Sequence, residues 1–365
     1  MDESRVEQRV DQVKRYVEKN KAWRPQPRTF VYLSVMVVAL VVAALVVPKL
    51  LPGTIQNSES LLGRNKGIAF VPLNGPPARE FVPAPPKGEA YTAWSTSESR
   101  EEVVVGWSHS SKGKVDNVKV QSRSAFSGRL QAEWAVQIKE PNPQISQIGF
   151  LPRRNQIWFL ASGTMQMVDI KSGAVLDYPF KGPGGSGSVP APQDATWASF
   201  SPVTGMLAYA EDRALTLVTG LATGRDGKPL KSQKILVPGA TRDNRGQVIQ
   251  GAVDSFDWID DDTLAVIVAR GSGTSPTTTV YFVDVRGELA SSIAVAVPPP
   301  ANGWFASISG APVGSDFIVL EDLAGATGGA RIKKAVAVYD EHGKAIKRIE
   351  LPAADWQPPI SWSSP

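Results

Sequence analysis

Hydrophobic positions follow two different patterns along the chain. From Phe30 to Val47 they form an unbroken apolar run in which Ser34 is the only polar side chain. From about residue 90 onward, short apolar runs of strand length alternate with turn residues. The first pattern predicts one long helix, and the second predicts a domain built of many β-strands.

The apolar run is long enough to cross a bilayer as a helix. Its eighteen residues would rise about 27 Å, close to the roughly 30 Å thickness of the hydrocarbon core. We therefore predict a transmembrane helix over residues 29–51, whose span includes Phe30, Tyr32, Leu40 and Val47. A cleavable signal peptide would have a shorter apolar region and a small-x-small site. The run is followed instead by PKLLP, which favours a retained signal anchor.

The charges around this run predict its orientation. Residues 1–29 hold eight Lys and Arg against five Asp and Glu, and few basic residues follow before Arg79. Because basic residues stay on the cytoplasmic side, we expect the N-terminus in the cytoplasm. The chain would then be a single-pass, type II protein of the cytoplasmic (inner) membrane with a periplasmic or otherwise extracytoplasmic C-terminal domain. Most of the net charge of +4 belongs to the tail, so nucleic-acid binding is not indicated.

The cytoplasmic tail, residues 1–28, has the pattern of an amphipathic helix. Val6, Val10, Val13 and Val17 fall on one helical stripe, and charged residues cover the other faces. One interpretation is a docking helix that packs on a partner or on copies of itself. Two others are a solvated helix that carries topogenic charge and a helix that lies on the membrane surface.

A proline-rich segment follows the predicted span. Residues 72–87 contain six prolines, which predicts an extended, semi-rigid stalk within residues 52–89. Just before it, residues 67–71 (GIAFV) have the composition of a short strand that could return to the next domain.

The remaining chain, residues 90–365, contains a recurring unit of two apolar strands joined by a polar turn. Equivalent apolar positions are spaced by 56, 50, 58 and 50 residues, namely Trp94, Phe150, Phe200, Trp258 and Ile308. Each unit is followed by a hairpin whose turn contains glycine, as at Gly128, Gly173 and Gly343 and also at Gly227 and Gly287. Four strands per unit, repeated at this period, are typical of β-propeller blades.

One segment supports this interpretation by resemblance. FSPVTGMLAYAED, which begins at Phe200, resembles the F-S-P-D-G-x-x-L-A-Y element of the WD40-like and TolB-type β-propeller superfamily. The resemblance implies an all-β propeller over residues 90–365. Five units are complete, and the C-terminal PPISWSSP looks like the first strand of a sixth, with Trp362 in the role of Phe200. We therefore expect six blades, closed by pairing residues 355–365 with strands from 67–83; a β-sandwich is the alternative.

Few residues suggest catalytic chemistry. The chain has no cysteine and two histidines, and it lacks the G-x-S-x-G elbow of serine hydrolases. Asp257, Asp260 and Asp262 belong to the densest acidic cluster and are weak candidates for a cation site, whereas residues 260–262 also suit a β-turn. No cofactor is predicted, and we do not expect an enzyme.

These patterns favour a non-catalytic, membrane-anchored scaffold or accessory subunit of a bacterial cell-envelope complex, such as a secretion, transport or envelope-assembly machine. Its partners would be the bilayer and other membrane or envelope proteins, bound through the propeller faces, the span and the N-terminal helix. The alternative is a receptor-like sensor that binds a small ligand, glycan or peptide in the propeller channel.

Overall fold

The computed structural model describes most of residues 58–363. The gaps are 75–77, 98–100, 139–142, 152–155, 178–194, 203–204, 212–213, 220–230, 236–240, 243–247, 250–251, 261, 271–276, 287–288, 299, 301–302, 312–313, 324–332 and 353–354. The predicted tail helix and membrane span lie outside the described residues. Within them, the structure has no helix of the length and apolar character that a membrane crossing requires.

The described residues form 26 β-strands. The first seven are β1 (Glu59–Arg64), β2 (Gly67–Pro72), β3 (Arg79–Val82), β4 (Glu89–Thr96), β5 (Glu102–Ser111), β6 (Lys114–Ser124) and β7 (Leu130–Val136). Next come β8 (Ile145–Phe150), β9 (Gln156–Ala161), β10 (Thr164–Asp169), β11 (Val175–Asp177), β12 (Trp197–Phe200), β13 (Leu207–Glu211), β14 (Ala214–Thr219) and β15 (Lys231–Ile235). The last are β16 (Thr241–Arg242), β17 (Val248–Ile249), β18 (Ala252–Trp258), β19 (Thr263–Arg270), β20 (Thr277–Arg286), β21 (Leu289–Val297), β22 (Gly303–Gly310), β23 (Phe317–Leu323), β24 (Lys333–Tyr339), β25 (Ala345–Glu350) and β26 (Trp356–Ser363).

These strands pair into six four-stranded antiparallel sheets and one two-stranded ladder, β16–β17. Five of the sheets each use four consecutive strands: β4–β7, β8–β11, β12–β15, β18–β21 and β22–β25. The remaining sheet has the order β26-β1-β2-β3, so it joins the two ends of the described chain. In it, Glu59 lies opposite Ser363 and Arg64 opposite Trp356. As predicted, the C-terminal segment shares one sheet with strands from residues 67–83, but its direct partner is β1, which the prediction did not include.

The sheets are arranged as a ring. The first strands of successive sheets, β4, β8, β12, β18 and β22, contact one another in turn; β26 then contacts both β22 and β4. A closed cycle of radially packed sheets is the architecture of a β-propeller, as the repeat period predicted.

The proline-rich segment predicted as a stalk, residues 52–89, contains strands of the closing sheet. Three strands of the closing sheet, β1 to β3, lie within residues 52–89. The prolines in this segment are compatible with strands because of where they fall: Pro72 is the last residue of β2, and Pro83 follows β3. Proline cannot donate a ladder hydrogen bond, so it is accepted at strand ends and on edge strands such as β26, which contains Pro358 and Pro359.

The core lies between the sheets. The described residues form six hydrophobic clusters, one at each junction between neighbouring sheets of the ring. Strands in the middle of a sheet are therefore covered on both faces; in β5, Val103, Val104 and Val105 are all 0% exposed. Burial on both faces explains why the second strand of each unit reads as a continuous apolar run rather than an alternating one.

Glycine turns join the third and fourth strands of three sheets. Gly128, Gly173 and Gly343 have φ values of 69°, 69° and 76°, in the left-handed region that glycine enters without steric cost. These three predicted hairpins are confirmed, while those at Gly227 and Gly287 lie outside the described residues.

Candidate functional site

A cavity of about 190 Å³ lies at the centre of the ring. Every innermost strand contributes to its wall, through residues 94–97, 147–150, 197–200, 256–258, 308–311 and 359–362. The repeated apolar positions identified in the sequence all lie on these strands. The sequence repeat therefore corresponds to the innermost strand of each sheet, where the sheets converge.

Side chains link neighbouring innermost strands across the ring. The amide of Gln147, on β8, accepts a hydrogen bond from the backbone N–H of Ala198 on β12. The hydroxyl of Ser199, also on β12, donates to the Asp257 carboxylate on β18 at 2.6 Å. These contacts continue the hydrogen bonding of the sheets through side chains, from one sheet to the next.

The same chain of hydrogen bonds continues beyond β18. Asp257 accepts from the backbone N–H of Gly310 on β22 at 2.9 Å, and from the Ser309 hydroxyl at 3.3 Å. Ser309 Oγ in turn accepts from the N–H of Trp362 on β26 at 3.1 Å. The Trp362 carbonyl then accepts from the Thr96 hydroxyl on β4 at 3.0 Å. Five successive junctions of the ring are crossed in this way.

Within this series of hydrogen-bonded residues, Asp257 accepts the largest number of hydrogen bonds, four. Its Oδ1 accepts from the Ser199 hydroxyl and from the N–H of Trp258 at 3.0 Å, and its Oδ2 accepts from Ser309 and Gly310. Burial raises the pKa of Asp257 above the ordinary carboxyl value, although these four donors each lower it. The carboxylate thus ties three sheets together at the ring centre.

Asp257 differs from Glu321 and Asp322, two other buried acids of the domain. Glu321 is paired with Arg348 (Oε2 to Nη2, 2.6 Å) and Asp322 with Lys334 (Oδ1 to Nζ, 2.8 Å). Among the described residues that line the central cavity, by contrast, none has a basic side chain and Asp257 alone is acidic. The cavity therefore contains one carboxylate whose charge is balanced by hydrogen-bond donors alone.

The three predicted metal candidates do not share one position. Asp257 is on β18 at the ring centre, whereas Asp260 and Asp262 lie between β18 and β19. There the Asp260 carboxylate accepts a hydrogen bond from the Asp262 N–H at 2.8 Å, as in an Asx turn. In the part of the chain that the structure describes, no three His, Cys, Asp or Glu side chains gather as a metal site would require.

The other predicted site residues cannot be placed in this site. The docking stripe of Val6, Val10, Val13 and Val17 lies outside the described residues. So do the span positions Phe30, Tyr32, Leu40 and Val47.

A second candidate site is an exposed aromatic side chain. Phe126, in the turn between β6 and β7, is 81% exposed. The turn is held on both sides: the N–H of Ala125 donates to the Glu101 carbonyl at 2.9 Å, and Arg123 donates to the Gly128 carbonyl at 2.9 Å. Phe126 is thus presented to solvent by a turn that is fixed to the sheet.

The polar residues of the ring centre were missed by reasoning from sequence, apart from Asp257. A signal was present, because a polar residue is adjacent to five of the six repeated apolar positions. These neighbours are Ser95, Ser199, Asp257, Ser309 and Ser361. A polar residue repeated at blade spacing beside an apolar position is a pattern that neither strand burial nor turn formation requires.

Comparison with known proteins gives similarity in structure only. No family model matches the chain, and no curated protein matches it. The Dos1 propeller aligns with a TM-score of 0.45 and 12% identity, over 72% of this chain and 61% of its own. Kuenenia stuttgartiensis hydrazine synthase aligns with a TM-score of 0.44 and 12% identity, over 76% of this chain and 71% of its own. From its ring of sheets, the described part of the chain has the β-propeller fold.

Proposed function

We propose that this protein is a non-catalytic, membrane-anchored scaffold of a bacterial cell-envelope complex. Its six sheets would be the six blades of one propeller on the extracytoplasmic side. The apolar run at 29–51 would anchor it in the cytoplasmic membrane, and the valine stripe of the tail would bind a membrane partner. A propeller suits this role because its rigid ring can present loops and turns to other proteins.

The observation that supports a binding role most directly is the exposure of Phe126. A large aromatic side chain held in water loses the stabilisation it would gain by burial, and such residues are frequent anchors of protein–protein interfaces. Because the turn is fixed by Arg123 and Glu101, binding at this position would cost little ordering entropy. We therefore propose that Phe126 is an anchor of the partner interface.

Blue-native electrophoresis of the full chain, extracted from membranes with mild detergent, tests this function. We expect the parent protein to migrate as an assembly much larger than its own 39.1 kDa. Phe126→Ser should shift it towards the monomer. Ile346→Ser is the matched control, since Ile346 is 45% exposed on β25 and should not affect assembly. Migration of the parent protein as a monomer would contradict the proposal.

The alternative function, a sensor, is favoured by one specific observation, the central cavity with its single carboxylate. In that case a ligand bound among the six innermost strands would report to partners through the ring.

A further inference from the structure

The central cavity combines one acidic side chain with a wall that includes several aromatic residues. Six of its lining residues are Phe150, Trp158, Trp197, Phe200, Trp258 and Trp362. From this combination we propose that the cavity binds a small organic cation with an alkylated ammonium group, such as a quaternary amine. This inference goes beyond the scaffold role and does not depend on it.

The sign of the charge argues for a cation. Asp257 is in the cavity wall, and no Lys, Arg or His accompanies it among the described lining residues. Glu321, which is 2% exposed, is paired with Arg348. A ligand that brings one positive charge would supply for Asp257 the counterion that the chain itself supplies for Glu321.

The hydrogen bonds of Asp257 decide which kind of cation fits. Each carboxylate oxygen already accepts two hydrogen bonds, from Ser199 and Trp258 on Oδ1 and from Ser309 and Gly310 on Oδ2. A primary ammonium or a guanidinium would have to displace one of these donors to bond the carboxylate. An alkylated ammonium has little or no need of such a bond, because it is attracted by the charge alone.

The wall supplies what the alkyl groups of such a cation require. Phe150 and Trp197 are only partly buried and are the lining rings best able to contact methyl groups and a cation. The volume of about 190 Å³ admits a ligand of several heavy atoms and is small for a peptide or glycan.

The pKa of Asp257 gives the site a pH dependence. Burial raises this pKa, and a bound cation would favour the ionised carboxylate and lower it again. Binding should therefore be strongest at high pH and weaken as the pH falls through the pKa of Asp257. Among the described residues that line the cavity, no other side chain is ionisable in this range.

Calorimetric titration of the full chain in detergent, with choline as probe, tests the proposal. Its neutral carbon isostere, 3,3-dimethylbutan-1-ol, separates charge from shape. We expect choline to bind the parent protein about tenfold or more tightly than the alcohol, since a desolvated cation–π contact adds to the charge attraction. Equal binding of the two probes, or no binding of choline, would overturn the proposal and leave the scaffold role untouched.

Two variants locate the site. Asp257→Asn should weaken choline binding about tenfold or more, and leave the alcohol unaffected. Because that change also disturbs the hydrogen bonds of the ring, Ser95→Lys provides an independent test: it adds a positive charge to the cavity wall without touching Asp257. Ser111→Lys adds the same charge at an exposed position of β5 and should bind choline like the parent. Unchanged choline binding by folded Ser95→Lys protein would overturn the proposal.

Discussion

The carboxylate of Asp257, on β18, accepts a hydrogen bond from the backbone N–H of Gly310, on β22, at 2.9 Å. Strands of neighbouring sheets face each other here without a ladder between them, so a side chain supplies the acceptor that the Gly310 amide needs. The same carboxylate accepts from the N–H of Trp258 on its own strand. One residue therefore satisfies two backbone amides near the ring centre.

Asp257→Ala should be strongly destabilising. It leaves the amides of Gly310 and Trp258 without their acceptor, and each unsatisfied buried donor costs about 1–3 kcal/mol. We expect the free energy of unfolding to fall by roughly 3 kcal/mol, measured by urea denaturation monitored by circular dichroism. Asp262→Ala, at an exposed turn position, is the control and should change it by less than about 0.5 kcal/mol. Equal stability of the two variants would mean that these bonds contribute little.

Replacing Asp257 should also change how stability depends on pH. Because the pKa of Asp257 is raised in the folded state, the native protein binds more protons than the unfolded chain between the two pKa values. The contribution of Asp257 to stability is therefore fully present below its unfolded pKa, about 3.9, and is lost as the pH rises through its folded pKa.

This dependence is measured as the difference in unfolding free energy between the parent and Asp257→Asn, at several pH values from 4 to 8. The difference cancels the contributions of other carboxyls whose pKa is raised by burial, such as Glu321 and Asp254. We expect the parent to lose stability relative to the variant as the pH rises. A difference that is flat across this range, or that increases with pH, would contradict the assigned direction.

Gly310 should not tolerate a side chain. A Cβ at this position would overlap the carbonyl oxygen of Trp258, which belongs to the neighbouring sheet. We expect Gly310→Ala to destabilise the protein by about 3 kcal/mol, as overpacking against backbone does. Gly113→Ala is the comparison: Gly113 has φ 76° and no atom within 4 Å of an added Cβ, so only the left-handed strain of about 1 kcal/mol applies. Similar thermal midpoints for the two variants would contradict the close packing.

The repeat could be read from the sequence because each innermost strand has an equivalent apolar residue. Trp94, Phe150, Phe200, Trp258 and Ile308 are all on these strands, and so is Trp362 of the closing strand. Burial where the sheets converge requires an apolar residue once per unit, so these residues recur at a regular spacing in the sequence. Turns that need positive φ are recognised just as locally by their glycine, as at Gly128.

Strand β1 and the hydrogen bonds at the ring centre could not be predicted from the sequence in the same way. Strand β1 has the sequence ESLLGR, whose four buried central residues include only two large apolar ones, and it takes its partner from the other end of the chain. The hydrogen bonds of Asp257 depend on Ser199 and Gly310, which are more than fifty residues away in either direction. Neither relationship has a local signature, because both arise only when the ring closes.

The closing strand, β26, should be required for a well-packed domain. Removing residues 356–365 deletes β26, in which Trp356 is 1% and Trp362 is 4% exposed. The deletion also exposes the ladder edge of β1. It removes three hydrogen-bonding groups of the ring: the Trp362 carbonyl, the Trp362 N–H and the Ile360 N–H. An uncovered edge and two missing buried indoles should leave a loosely packed, aggregation-prone domain.

We expect the truncated chain to lose its near-ultraviolet circular dichroism and its cooperative thermal transition, and to bind the dye ANS. Removal of Ser364 and Pro365 alone is the matched control, because β26 ends at Ser363 and keeps all its pairs with β1. Addition of a peptide with the β26 sequence should restore part of the cooperativity if its loss is due to the missing strand. A truncated protein that unfolds with the parent's midpoint would show that the ring is stable without its closing strand.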